Sequence, residues 1–141
     1  MKIALLACTK AKKNYSCCAK ELYSASHLFN LSYQYAKVFC DKIYILSAKY
    51  GLVEENMYLE PYDLTLNAMS KKERILWSNM VFEKLAHLED IEKSTFVILA
   101  GKNYYLYFYR KLKRYELPLD RLSFGNRMHK LKEMIANGYV R

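Results

Sequence analysis

The chain has 141 residues, 52% of them hydrophobic, and a formal net charge of +9 at neutral pH. That length suits one domain, and the apolar content excludes a disordered tail. No apolar run approaches the roughly 18–20 residues of a membrane span, so no membrane role is expected.

The first apolar stretch, Ile3–Ala7, is shorter than the roughly 7–15 residues of a signal-peptide core and reads as a buried strand. Leu28, Leu31, Tyr35 and Val38 then mark one face of a helix, which Ser24 or Ser26 can cap. Ile43–Leu46 is a second buried strand. The connection 48–69 reads as a long loop of the kind usually tied to function. Ser70 and Glu73 form a capping box before a helix marked by Trp77, Val81, Leu85 and Leu88. Phe96–Leu99 is a third strand. Tyr105, Phe108, Leu112 and Tyr115 predict a third helix, with Tyr104, Tyr107, Arg110, Lys111 and Arg114 on its other faces. An edge strand fits within 115–125, where Pro118 argues against a central position. Met128, Leu131 and Ile135 predict a fourth helix, closed by Asn137-Gly138 as a C-cap. Strands alternating with helices predict a single α/β domain around a mainly parallel sheet.

The charge is uneven: residues 1–50 carry net +6, residues 51–100 net −4 and residues 101–141 net +7. Two basic regions around an acidic middle suit a polyanion or phosphate partner. Arg121, Arg127, His129, Lys130 and Lys132 extend the basic character of the C-terminal part, and arginine beside tyrosine suits phosphate contact with base stacking. The cysteines are Cys8, Cys17, Cys18 and Cys40, with no Cys-x-x-Cys and no His-x-x-x-His. No metal or other cofactor is expected, and the thiols suit a reduced, cytoplasmic protein.

In an open parallel sheet the loops after the strands share one edge, where ligands bind. Cys8, Thr9, Lys10 and Lys12 follow the first strand. Ser47, Lys49, Tyr50 and Gly51 follow the second, and Gly101 and Lys102 the third. Ammonium groups gathered on one edge call for an anion among them. The expectation is that Lys10, Lys12, Lys49 and Lys102 hold phosphate. Asp63 or Glu60 would handle a proton, and Ser24 with His27 would orient the ligand. Tyr58 and Tyr62 are aromatic candidates for stacking. No Walker-type loop or GxGxxG is present.

The stretches "ACTKAKK", "AKELYSASHLF", "ILSAKYGLV", "EPYDLTL", "AGKNYY" and "LSFGNRMHKLKEM" resemble the signature blocks of a small α/β family of bacteria and phages. That family is similar to YaaA-type peroxide-stress proteins. It is also similar to the uracil-DNA-glycosylase-like domain of archaeosine tRNA-guanine transglycosylases and archaeosine synthase. The resemblance implies a three-layer α/β/α, uracil-DNA-glycosylase-like fold and nucleobase chemistry. Cys8 with Lys12, and Ser24 with His27, match a Cys-x-x-x-Lys and Ser-x-x-His pattern important in archaeosine synthase. Here the two halves stand further apart and the intervening Pro-Tyr is missing. The Gly-Gln-Asp-Pro-Tyr loop of true uracil glycosylases is absent, so uracil excision by that route is not implied. The reading is thus a nucleic-acid or nucleotide-binding protein, acting as an N-glycosidase or base-modifying enzyme. Its rival is a non-catalytic DNA- or RNA-binding module.

Overall fold

The computed structural model describes residues 1–140. Five strands form the main sheet: β1 (Lys2–Ala7), β3 (Lys42–Ser47), β4 (Gly51–Glu54), β6 (Thr95–Leu99) and β7 (Arg114–Glu116). Their order is β4-β3-β1-β6-β7. All neighbours are parallel except β3 and β4, which form a hairpin. Two short strands, β2 (Cys17–Cys18) and β5 (Tyr58–Leu59), pair separately as an antiparallel ribbon. The central strands are buried on both faces because helices cover both. Ile3–Leu6, Ile43–Leu46 and Phe96–Leu99 are therefore apolar without alternation.

A short helix α1 (Ala19–Leu22) and the 3-10 turn Tyr23–Ala25 lead into α2 (His27–Phe39). Ser26, not Ser24, caps α2: its hydroxyl accepts the Phe29 N–H at 3.2 Å. Helix α3 (Lys71–Leu88) starts with the expected capping box, worth about 1 kcal/mol by the usual cost of losing such a cap. Right-handed crossovers put α2 and α3 on opposite faces. On β3, Tyr44 hydrogen-bonds Glu89 at the end of α3, whereas Ser47, on the other face by strand alternation, meets Tyr23 just before α2. Helix α5 (Phe124–Val140) packs on α2.

Three expected features are corrected. The long loop after β3 turns back at once as β4, with Gly51 at φ +75 closing the hairpin. The expected third helix does not run to Tyr115. It is the single turn α4 (Lys102–Tyr105), a 3-10 turn at Tyr109–Lys111, and then β7. Tyr105, Phe108 and Leu112 are buried as their spacing implies, but turns present them as well as a helix would, and Tyr115 is exposed on the edge strand. Gly138 is not a C-cap but lies within α5. A Cβ there would stand 2.6 Å from Phe39 Cζ and 2.9 Å from Val38 Cγ1, so glycine permits the close α2–α5 approach.

The topology fixes where a ligand can sit. From β1 the chain crosses to β3 on one side and later returns past β1 to β6 on the other. The loops after β1 and β6 therefore diverge, leaving a crevice at this reversal.

Candidate functional site

A cavity of about 470 Å³ lies at the reversal, between the loops that follow β1 and β6. Its inner wall is Ala7, Cys8, Leu99 and Ala100, at the ends of the two strands. Lys10 and Arg127 bring positive charge to it, and among the described residues no carboxylate lines it. Asn67 and Asn103 contribute amides, joined by a 2.6 Å hydrogen bond from Asn103 Nδ2 to Asn67 Oδ1. The Arg74 Nη1 donates to Asn103 Oδ1 at 3.3 Å and fixes which way that amide faces. The first turns of α2 and α5 both border the opening, adding backbone N–H groups and favourable dipoles for an anion. Phe124, on the first turn of α5, also lines the cavity and is 61% exposed. This leaves an aromatic ring open to solvent beside the two cationic residues.

Arg127 is held in place by Nε donating to the Leu122 carbonyl at 3.0 Å. Its guanidinium rests against Gly101: a Cβ there would lie 3.6 Å from Nη1 and 3.8 Å from Nη2. A Cβ at those distances would be in ordinary van der Waals contact, so the guanidinium lies alongside the backbone just beyond the end of β6.

The other half of the same edge, between β1 and β3, is built differently. Tyr23 and Tyr62 share a 2.7 Å hydrogen bond, and Ser47 Oγ lies 3.2 Å from the Tyr23 hydroxyl and 2.8 Å from that of Tyr62. The Tyr50 N–H donates to Ser47 Oγ at 3.0 Å, and Trp77 Nε1 donates to the Ser47 carbonyl at 2.9 Å. Burial pushes the Tyr23 phenol up to about 12, and that of Tyr62 further in the same direction. Here the protein fills its own edge with hydroxyls that satisfy one another.

Cys8 joins the two halves. Its sulfur accepts the Ala48 N–H at 3.4 Å and lies 3.4 Å from the Tyr104 hydroxyl. Burial also raises the Tyr104 phenol. Residues that follow β1, β3 and β6 therefore meet at Cys8, close to the strand ends.

The ammonium groups do not converge with them. Of the expected ligand-binding residues, Cys8, Thr9, Lys10 and Gly101 line the crevice. Ser47, Tyr50 and Tyr62 belong to the hydroxyl-filled half. Lys12 lies 4.5 Å over the Tyr62 ring, and burial lowers its ammonium while Cys8 and Asp63 draw it back up. Lys49 is exposed, 5.3 Å over the Tyr50 ring, and Lys102 lines a neighbouring cavity. Gly51 serves the hairpin. Asp63, Glu60 and His27 are exposed and none lines the crevice, and Tyr58 is 71% exposed on the β2–β5 ribbon. Ser24 donates to the Glu21 carbonyl at 2.6 Å.

Reading residue by residue missed Phe124, Asn67 and Asn103, and met Arg127 only as one member of a basic run. The usable signal was the Ser123-Phe124-Gly125-Asn126-Arg127 start of α5: an aromatic and an arginine on one helical turn, facing the strand ends.

Fold and site together define an α/β protein with an open, mostly parallel sheet and a cationic, aromatic-edged crevice at its chain reversal. Residues 3–133 match the family of unknown function DUF6884, and the chain belongs to that family. No curated protein and no solved structure matches it. Among the described residues no helix is long and apolar enough to cross a membrane.

Proposed function

We propose that the chain binds a nucleotide, or a nucleotide unit of a nucleic acid, in the crevice between the β1 and β6 loops. One observation carries this reading: Lys10 and Arg127 line a cleft that has no carboxylate among its described walls, while Phe124 stands exposed at its side. Cation and aromatic together suit phosphate and base, and the volume lies within the usual range of about 300–1,000 Å³ for small-ligand sites. The reading takes the fold as uracil-DNA-glycosylase-like, on the likeness of the motifs. It places the protein in the cytoplasm, where the four free thiols are at home.

Binding, not proton transfer by a carboxylate, is what the crevice supports best. Asp63, Glu60 and His27 lie outside it, so an N-glycosidase relying on them has no local acid or base there. A base-modifying reaction is a second reading, supported by the Cys8 thiol beside the Tyr104 hydroxyl on the inner wall.

Calorimetric titration with nucleoside monophosphates, at low and high salt, tests the proposal. Saturable binding that weakens with salt and is roughly thirtyfold weaker in Arg127→Gln is expected. Equal heats in the wild type and Arg127→Gln would overturn it. Mass spectrometry of oligonucleotides after incubation separates the two readings, since an altered base favours the second.

A further inference from the structure

The crevice does not end at Arg127. A second cavity of about 360 Å³ adjoins it, and Ala100, Leu119 and Arg127 line both. The second cavity is bordered by Tyr105, Tyr109 and Leu106 together with Lys102 and Arg121. Its carboxylate, Asp120, is already engaged: Tyr105 donates to it at 3.0 Å, and Arg121 Nε lies 3.9 Å away. Arg121 holds a left-handed backbone at φ 64 with its side chain 94% exposed. A non-glycine residue in that region is strained, and such strain gathers at functional positions.

Arg127 thus stands between two chambers. A guanidinium has five N–H donors. Nε uses one on Leu122, and among the described residues neither terminal nitrogen has a protein acceptor and no carboxylate comes within ion-pair distance. A planar fork with free terminal donors matches the two non-bridging oxygens of a phosphate. Two separate monophosphates, one per chamber, would crowd several negative charges around one cation. A phosphodiester brings a single negative charge and carries a nucleoside on each side.

We propose that the two cavities form one bipartite site for two consecutive nucleosides of a nucleic acid strand, with the bridging phosphodiester on Arg127. The inference rests on the nucleotide reading of the first cavity and names its substrate class. One base stacks on Phe124 in the first chamber. The next lies against Tyr109, whose ring already stands edge-on to those of Tyr105 and Tyr115 at 5.2 Å. Each stacked base amounts to about a five- to 150-fold gain in affinity.

The test compares a nucleoside 5′-monophosphate, the corresponding dinucleoside monophosphate and an octanucleotide of the same base, at one salt concentration. The dinucleoside monophosphate should bind about tenfold or more tighter than the mononucleotide, although it carries less charge, and the octanucleotide at least as tightly. Tyr109→Ala, and the uncharged Leu106→Gln at a position 36% exposed, should bring the dinucleotide down to the mononucleotide level and leave the mononucleotide unchanged. Equal affinity for one and two nucleosides, equal weakening of both ligands in the variants, or weaker binding of the octanucleotide would overturn the bipartite site. The first two outcomes leave the single-nucleotide reading standing, whereas absence of any nucleotide binding ends both.

Discussion

The two halves of the sheet's C-terminal edge start from similar loops and end differently. Between β1 and β3, Tyr23, Ser47, Tyr50 and Tyr62 close on one another. Between β1 and β6, the Arg127 guanidinium lies against Gly101, and Arg127 and Phe124 border an open cleft. Loop position on an open sheet therefore marks a region, and the side chains that fill it decide whether a ligand has room. The closed half should govern stability, and the open half affinity.

Changes that exchange those roles would break the comparison. Tyr62→Ala removes a ring packed against Tyr23, Tyr50 and Lys12 and should cost about 3 kcal/mol of unfolding free energy, measured by urea denaturation. Nucleotide affinity of the remaining folded protein should not change. Arg127→Gln should do the converse. Loss of a charged hydrogen-bond donor costs about 2 kcal/mol of binding, or roughly thirtyfold in affinity, with little change in melting temperature. Ser47→Ala leaves the Tyr23 and Tyr62 hydroxyls and the Tyr50 N–H short of a partner and should cost about 1–2 kcal/mol of stability by the same denaturation measurement. Lys49→Ala, outside the crevice, should change neither quantity by more than about 0.5 kcal/mol, the usual range for surface substitutions.

pH sharpens the same contrast. The Tyr23 phenol is raised from its ordinary 10.0 to about 12, so the folded state holds that proton more tightly than the unfolded chain. The resulting stability is present below pH 10 and is lost as pH rises through about 12. Tyr23→Phe should flatten the fall in stability above pH 10 in alkaline denaturation curves.

Much of this fold was legible from residue order because the central strands are buried on both faces, so continuous apolar runs mark them. The Ser70–Glu73 capping box marked the start of α3 for a local reason that tertiary structure did not alter. Elsewhere the code was ambiguous. The spacing of Tyr105, Phe108 and Leu112 serves successive turns as well as a helix, and all three residues of β7 are exposed, leaving no apolar signal for a strand. The site was legible at the level of the loops but not of the side chains. A lysine after a strand can border a crevice, as the exposed Lys10 does, or lie over a neighbouring ring, as Lys12 and Lys49 do. Phe124 continues the helical spacing of Met128, Leu131 and Ile135, which by itself assigns it to the core. Its place in the first turn leaves it 61% exposed beside the crevice instead.

Amide chemical shifts recorded while a nucleoside monophosphate is titrated into the ¹⁵N-labelled protein test the central claim most directly. Saturable shifts at Thr9, Lys10, Gly101 and Phe124, with Tyr50 and Tyr62 unmoved, are the predicted result. Shifts centred on Tyr50 and Tyr62, or none anywhere at saturating nucleotide, would contradict it.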